Sequence, residues 1–150
     1  MIHFHKAEIS DFLAIAALDR RAWKQNRNSE FIPDGEHVWR LWVEHALCFT
    51  AKEENTLLGA ICAFPCVSGK WFVHKVFVEF EKRGTGIGTK LFGVLLAELD
   101  KRKAESFLTV DPVYEHAVRL YEKWGFTERQ FVQGYYRPNE DRYVLTRTAR

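Results

Sequence analysis

The spacing of apolar positions changes several times along the chain, and each change marks an element. Residues 2–8 alternate apolar and polar side chains, the period of a half-buried strand. Ser10 is placed to cap a helix with Asp11 in its first turn, and Phe12, Ile15, Ala16, Leu18 and Trp23 follow at helical spacing. That helix is expected to end in the polar loop Asn26-Arg27-Asn28-Ser29. Pro33-Asp34-Gly35 restarts a helix in which Val38, Trp39, Trp42, Val43 and Ala46 form one stripe, and core packing accounts for at least one of the tryptophans. Residues 47–51 and 56–64 read as strands split by Lys52-Glu53-Glu54-Asn55, a hairpin, with a second turn over 65–70. Residues 71–80 are largely apolar on both faces, as suits a central, doubly covered strand. A helix follows from about Gly88, burying Leu91, Phe92, Leu95, Leu96 and Leu99, and then a short strand over 106–110. Strand, helix and strand make a βαβ unit, so these two strands are expected to be parallel. After Asp111-Pro112, Ala117, Leu120, Tyr121 and Trp124 mark one face of a further helix, and Gly125 is its expected left-handed cap. Residues 127–136 and 142–148 read as a closing hairpin around Pro138-Asn139-Glu140-Asp141. The expected fold is mixed α/β, a meander first and one parallel crossover, neither a doubly wound nucleotide fold nor a barrel.

The central strand runs into Lys82-Arg83-Gly84-Thr85-Gly86-Ile87-Gly88-Thr89-Lys90. Its alternating glycines let the backbone turn tightly and approach a ligand without Cβ clashes. The new helix directs its first N–H groups and the positive end of its dipole into the loop, which makes an anion site suited to phosphate. Lys82, Arg83 and Lys90 add positive charge. The dinucleotide pattern G-x-G-x-x-G is not met: counted from Gly84 its last place is Thr89, and from Gly86 it is Leu91. The nucleotide P-loop is not met either, because Thr89 precedes Lys90 and Leu91 follows it. What fits is Arg-x-x-Gly-x-Gly, at Arg83, Gly86 and Gly88.

Here the chain resembles the GNAT superfamily of acyl-CoA N-acyltransferases, in which this segment binds the pyrophosphate of coenzyme A. Ala117-x-x-Leu120-Tyr121-Glu122-Lys123-Trp124-Gly125-Phe126 resembles that family's A-x-x-L-Y-x-x-x-G-F segment and lies where the family places it, one strand after the glycine loop. The resemblance extends over residues 56–148 and more loosely over the first half. It implies a three-layer fold, with a mixed, mostly antiparallel sheet splayed between its fourth and fifth strands, 71–80 and 106–110. A single N-acetyltransferase domain would span 1–150. The acetyl-pantetheine arm would enter the splay and add strand-like hydrogen bonds there. The implied coenzyme-binding residues are Val76, Phe77, Val78, Arg83, Gly84, Thr85, Gly86, Ile87, Gly88, Thr89, Lys90, Tyr114 and Tyr121. Tyr114 stands where the family often has Asn, and a phenol cannot copy the short two-way hydrogen bonding of an amide.

Acyl transfer from a thioester to an amine needs four things. The amine must lose a proton held with a pKa of about 10.4 in a lysine-like group. The oxyanion needs donors, the leaving thiolate a proton, and both substrates must be held in line. The resemblance points to the Val78 backbone N–H for the oxyanion, a preset donor worth about 3 kcal/mol. It points to the Tyr121 hydroxyl for the thiolate, against the alternative of a core tyrosine at helical spacing. His74 shares a strand face with Phe72, Val76 and Val78 and is the candidate base. The alternative is a half-buried histidine bonded to a backbone carbonyl. Asp111 and Glu79 are runners-up, and the amine arriving already deprotonated is a further route.

Composition narrows the partners. The chain has 150 residues, 47% hydrophobic and 28% charged, which suits one globular domain. A net charge of +2 with dispersed basic residues argues against nucleic acid as partner. No apolar run reaches the length of a membrane span, and residues 1–6 lack the apolar core of a signal peptide. Cys48, Cys62 and Cys66 contain no C-x-x-C pair and read as free thiols in a reducing cytosol, so a cytoplasmic enzyme is expected. His3 and His5 alternate on the first strand without further ligands, so no metal is expected. Glu30, Asp34, Glu36 and Glu44 favour a cationic acceptor, although a solvated helix face is their commoner meaning. Tyr135-Tyr136 followed by Glu140-Asp141-Arg142-Tyr143 resembles the final hairpin of protein N-terminal acetyltransferases. The expected function is transfer of acetyl from acetyl-CoA to a small-molecule or polyamine-like amine. Protein N-terminal or lysine acetylation, and a non-catalytic acyl-CoA-binding module, are the alternatives. The expected state is monomer or homodimer.

Overall fold

The computed structural model describes residues 1–26 and 32–150; the expected loop residues Arg27, Asn28 and Ser29, and Glu30 of the acidic set, lie outside the described residues. The chain resolves into two compact units, Met1–Phe64 with His74–Glu98 and Pro65–Val73 with Leu99–Arg150.

The first unit opens with β1 (Ile2–Lys6), which pairs antiparallel with β2 (Leu47–Glu53); β2 pairs antiparallel with β3 (Thr56–Pro65). Next to β3 comes β4 (Trp71–Val78), the strand common to both units. Two helices, α1 (Phe12–Asn26) and α2 (Glu36–His45), lie between β1 and β2 in the chain. Ser10 does not cap α1. A 3-10 turn, Ile9–Asp11, precedes the helix, and the Asp11 carboxylate accepts the Glu8 N–H at 2.8 Å, so the aspartate secures the start. Gly35 stands at the N-cap of α2, as Pro33-Asp34-Gly35 leads one to expect.

The core of this unit joins Ile15, Ala16, Leu18 and Ala22 of α1 to Trp39 and Val43 of α2, and to Cys48, Ala60, Cys62 and Phe77 of the strands. Trp39 is completely buried, edge-on to Phe77 at 5.8 Å and to Trp42 at 5.1 Å. Burying each large apolar side chain contributes about 1.5–3 kcal/mol. Gly59 of β3 has a steric reason that its sequence context does not reveal. A Cβ there would meet the Phe77 carbonyl oxygen at 3.0 Å and Leu91 Cδ1 at 3.2 Å.

In the second unit the opening of β4 pairs in parallel with β5 (Ser106–Val110), Trp71 against Ser106 and Phe72 against Phe107, as the βαβ reading requires. All five residues of β5 pair antiparallel with β7 (Arg142–Arg147), which pairs antiparallel with β6 (Phe126–Val132). The helix α3 (Ile87–Lys101) leads from the first unit into the second, and its Leu91, Phe92, Leu95, Leu96 and Leu99 are buried as expected. α4 (Glu115–Lys123) ends at Gly125, whose φ is +104°. A Cβ on Gly125 would also lie 2.9 Å from Arg150 Nη2. Below that cap the buried Arg147 guanidinium grips both Asp100 oxygens at 2.7 and 3.0 Å and donates to the Trp124 carbonyl.

β1 and β7 stop short of their expected ends, at Lys6 and Arg147, and so do β4 and β6. After β4 the chain turns through the 3-10 segment Phe80–Lys82. β6 ends at Val132, because Gly134 takes a φ of +61° and gives its N–H to Asp141 Oδ1 at 2.8 Å. Tyr135 and Tyr136 are therefore loop residues rather than strand residues.

Candidate acetyl-transfer site

The glycine segment has the backbone of an anion-binding loop. Lys82 N–H returns to the Glu79 carbonyl at 2.9 Å and Arg83 N–H to that of Phe80 at 3.2 Å, which closes the turn after β4. Gly84 and Gly86 then take φ of +78° and +87°, conformations that cost an L-residue about 1–2 kcal/mol. A Cβ at either would meet nothing within 4 Å, so the demand at these two places is conformational rather than steric. Thr85 Oγ1 donates to the Lys82 carbonyl and steadies the loop. α3 starts at Ile87, and its first bond, Lys90 N–H to the Gly86 carbonyl at 3.0 Å, leaves the first-turn N–H groups of Ile87, Gly88 and Thr89 directed out of the helix start. Arg83, Gly84, Thr85, Gly86, Thr89 and Lys90 are exposed, while Ile87 anchors the turn in the core. The Arg83 guanidinium rests over the Phe80 ring at 5.2 Å. An exposed left-handed loop feeding a helix N-terminus, with cations on its rim, fits a diphosphate.

In the same unit β4 carries Val76 and Val78, both half-buried, and Phe77, which packs into the core. His74 is tied down. Its Nε2 lies 2.8 Å from Asp34 Oδ2, and its ring lies 4.9 Å from that of Trp42 and 5.7 Å from that of Phe64. Neighbouring Lys75, with a side chain 7% exposed, places Nζ 2.8 Å from Asp34 Oδ2, 3.1 Å from Asp19 Oδ1 and 2.8 Å from the Ile32 carbonyl. Asp19 is completely buried; its Oδ2 accepts the Asp34 N–H at 2.8 Å and the Trp39 indole N–H at 3.0 Å. Burial raises the Asp34 pKa most, but hydrogen bonds and charge from His74 and Lys75 together outweigh it and hold the carboxyl below its ordinary value. Burial, with Cys48 beside it, pushes the Cys62 thiol well up.

Reading the sequence misses this network, although a signal was there. Asp19 falls four residues after Ile15 on the apolar face of α1, and Lys75, next to His74, interrupts the apolar residues of β4. One charge on each of two buried faces implies a pair. Of the acidic set, Glu36 faces Arg20 at 3.8 Å and Glu44 faces Arg40 at 2.8 Å on the surface, while Asp34 turns inward. Glu79 binds Arg21 at 2.9 Å. His3 and His5 stack at 5.8 Å on exposed β1.

The second unit holds the remaining expected residues. Tyr121 on α4 is half-buried, edge-on to Trp124 at 6.0 Å and Phe126 at 6.3 Å. Tyr114 stands at the N-cap of α4, exposed, with its carbonyl accepting the Val118 N–H. Asp111 shapes the turn before α4, since its Oδ1 accepts the Val113 N–H at 3.0 Å. Tyr136 shares a hydrogen bond with Thr109 Oγ1 at 2.9 Å and lies under the buried Arg142 guanidinium, 5.3 Å from the ring centre. Among the described residues no group of three or more His, Cys, Asp or Glu could hold a metal ion, and no helix is long and apolar enough to cross a membrane.

The mixed α/β order, the single parallel pair and the glycine loop after β4 define an acyl-CoA-dependent acyltransferase fold. The sequence model of the acetyltransferase (GNAT) family matches residues 12–126, and the chain belongs to that family of acetyl-transferring enzymes, which uses acetyl-CoA. An N-alpha-acetyltransferase of Saccharolobus solfataricus is 29% identical over 112 residues, 66% of this chain and 67% of that protein. The ribosomal-protein-S18-alanine N-acetyltransferase from Escherichia coli has the same fold, with a TM-score of 0.81 over 99% of this chain and 94% of that one at 22% identity. So does Arabidopsis thaliana Naa50, solved with the bisubstrate analogue CoA-Ac-MVNAL, with a TM-score of 0.74 over 98% of each chain at 20% identity.

Proposed function

We propose that this chain transfers an acetyl group from acetyl-CoA to a primary amine by direct attack in a ternary complex. The observation that carries the reading is the exposed loop with left-handed Gly84 and Gly86 entering α3. Main-chain N–H groups of that loop and of Ile87, Gly88 and Thr89 bind the diphosphate, with Arg83 and Lys90 at its edge. The backbone of Val76, Phe77 and Val78 takes the pantetheine arm, and the Val78 N–H stabilises the oxyanion. His74 accepts the proton of the amine. Tyr121 protonates the departing thiolate, and Tyr114 lies at the start of the same helix. Direct attack needs no acyl-enzyme, so orientation supplies most of the acceleration.

The acceptor we propose is the α-amine of a peptide or protein. The relative from Saccharolobus solfataricus supports it, as do Tyr135 and Tyr136, loop aromatics able to flank an extended chain. A small polyamine-like amine is the second reading, favoured by Asp34 bound to His74, whose ring meets those of Trp42 and Phe64. Buried, opposed Cys48 and Cys62 suit a reducing compartment, and the cytoplasm is our proposed location.

Thiol release from acetyl-CoA, with a lysine-free pentapeptide bearing a free α-amine and with spermidine, separates the two readings. Faster release with the peptide is expected. Release with spermidine alone reverses the order of the readings. A folded protein that gives no calorimetric heat with coenzyme A or acetyl-CoA removes the proposal altogether.

A further inference from the structure

The Asp34–His74 contact has a consequence for the proton path. An ionised carboxylate only accepts hydrogen bonds, so the 2.8 Å contact with Oδ2 keeps the proton of a neutral His74 ring on Nε2 and its lone pair on Nδ1. Asp34 is itself held at main chain and side chain. Its N–H is bound by fully buried Asp19, and its Oδ2 also meets the Lys75 ammonium at 2.8 Å. The Trp42 and Phe64 rings restrict the rotation of the imidazole. This arrangement is more than a surface ion pair needs, since Asp34 and His74 side chains are only 25% and 24% exposed.

We propose that Asp34 is a positioning residue for acetyl transfer: it holds His74 in the Nε2–H tautomer, so that Nδ1 takes the proton of the attacking amine. The inference rests on the reading of His74 as the base. In the step, the amine nitrogen bonds to the acetyl carbon while its proton passes to Nδ1. The carbon–sulfur bond breaks, and the thiolate takes a proton from Tyr121. Solvent then removes the proton from His74 and restores that of Tyr121, so amine and thioester become amide and thiol with nothing left over. The imidazolium formed on the way lies against the Asp34 carboxylate, which favours it. Among the described residues, the other titratable groups around the pair include Lys75 on β4, Asp19 on α1 and Cys62 on β3, whose thiol feels both Asp34 and Lys75.

The test compares wild type, Asp34→Asn, Asp34→Glu and His74→Gln, using acetyl-CoA with the pentapeptide or spermidine. Asp34→Asn is expected to lower kcat by between about 10-fold and about 10⁴-fold, the upper figure being the effect of leaving a general-base histidine in the wrong tautomer, with KM for acetyl-CoA unchanged. The Nε2–H tautomer of the His74 ring, read by nitrogen-15 NMR, should be lost or mixed in Asp34→Asn, because an amide can present either a donor or an acceptor to Nε2. A merely structural role would reduce activity without changing that tautomer. Asp34→Glu should recover part of the rate. Wild-type kcat and tautomer in Asp34→Asn, with His74→Gln impaired, overturn the role of Asp34 and leave His74 as base. Wild-type kcat in His74→Gln overturns the base and, with it, this inference. Nitrogen-15 NMR of the His74 ring in the wild-type protein decides independently of any variant or acceptor: the Nε2–H form is expected, and an Nδ1–H ring overturns the proposal.

Discussion

At the scale of single residues, buried charge separates from surface charge. Asp19 is completely buried and is compensated by Lys75, which also meets Asp34, so removing Lys75 strands Asp19 whereas removing Asp19 leaves Lys75 a carboxylate. Lys75→Ala is expected to destabilise by about 3–5 kcal/mol, the usual effect of leaving a buried charge uncompensated. Urea unfolding measures it, and a loss below 1 kcal/mol would mean that the pair is wetter than it looks. Glu44, fully at the surface, owes its lowered pKa first to its hydrogen bond with Arg40, and its replacement should leave the unfolding midpoint unmoved. Tyr121→Phe removes one hydroxyl and keeps the edge-on contacts with Trp124 and Phe126. Turnover should fall about 10²–10⁴-fold, the contribution of a positioned acid, while calorimetric affinity for acetyl-CoA stays the same. Wild-type turnover in that variant would take Tyr121 out of the mechanism.

At the scale of elements, the glycines act for two different reasons. Gly86→Ala forces a left-handed alanine into the loop. It should cost about 1–2 kcal/mol of stability and weaken coenzyme A binding by a comparable factor in calorimetry. Gly59→Val pushes side-chain atoms against the Phe77 carbonyl and Leu91, and should destabilise by about 1–3 kcal/mol with no direct effect on the coenzyme loop. Unchanged stability in Gly59→Val would show that β3 can shift. The first glycine could be found in the sequence, because a G-x-G between a strand and a helix pattern is local. The second could not, because its neighbour Phe77 lies 18 positions on, as the numbering shows. The same contrast holds for element ends. Residues 106–110 were legible as a strand to the residue, since turn signals bound them on both sides. β6 was read too long, because the contact of Asp141 with the Gly134 N–H that ends it comes from seven residues away.

At the scale of the whole molecule, acid should loosen both units through their paired aspartates. Asp34 is held below its ordinary pKa against the opposing effect of burial, and Asp100 chiefly through its hydrogen bond to Arg147. A group whose folded pKa is depressed stabilises above its unfolded value, and that stability is lost as pH falls through the folded one. The urea midpoint should therefore drop between about pH 5 and pH 2. Asp34→Asn and Asp100→Asn should each flatten that drop; a profile as steep as wild type in both would place the acid sensitivity elsewhere.

The amino-acid order alone determined whatever depends on near neighbours: the alternation of strands and helices, the parallel crossover, the glycine loop with its conformational demand, and the Ala117–Phe126 segment that resembles the family. Tertiary structure alone decided which charges lie inside. Asp34 read as one of four acidic residues near a loop, and His74 as a histidine on a strand. Folding brought them together across 40 positions and packed Asp19 and Lys75 behind them. A pattern along the chain reports the face on which a side chain lies. The partner it meets there is set by how separate elements pack, and the low polarity of that packed interior is what turns a contact of 2.8 Å into a constraint on a proton.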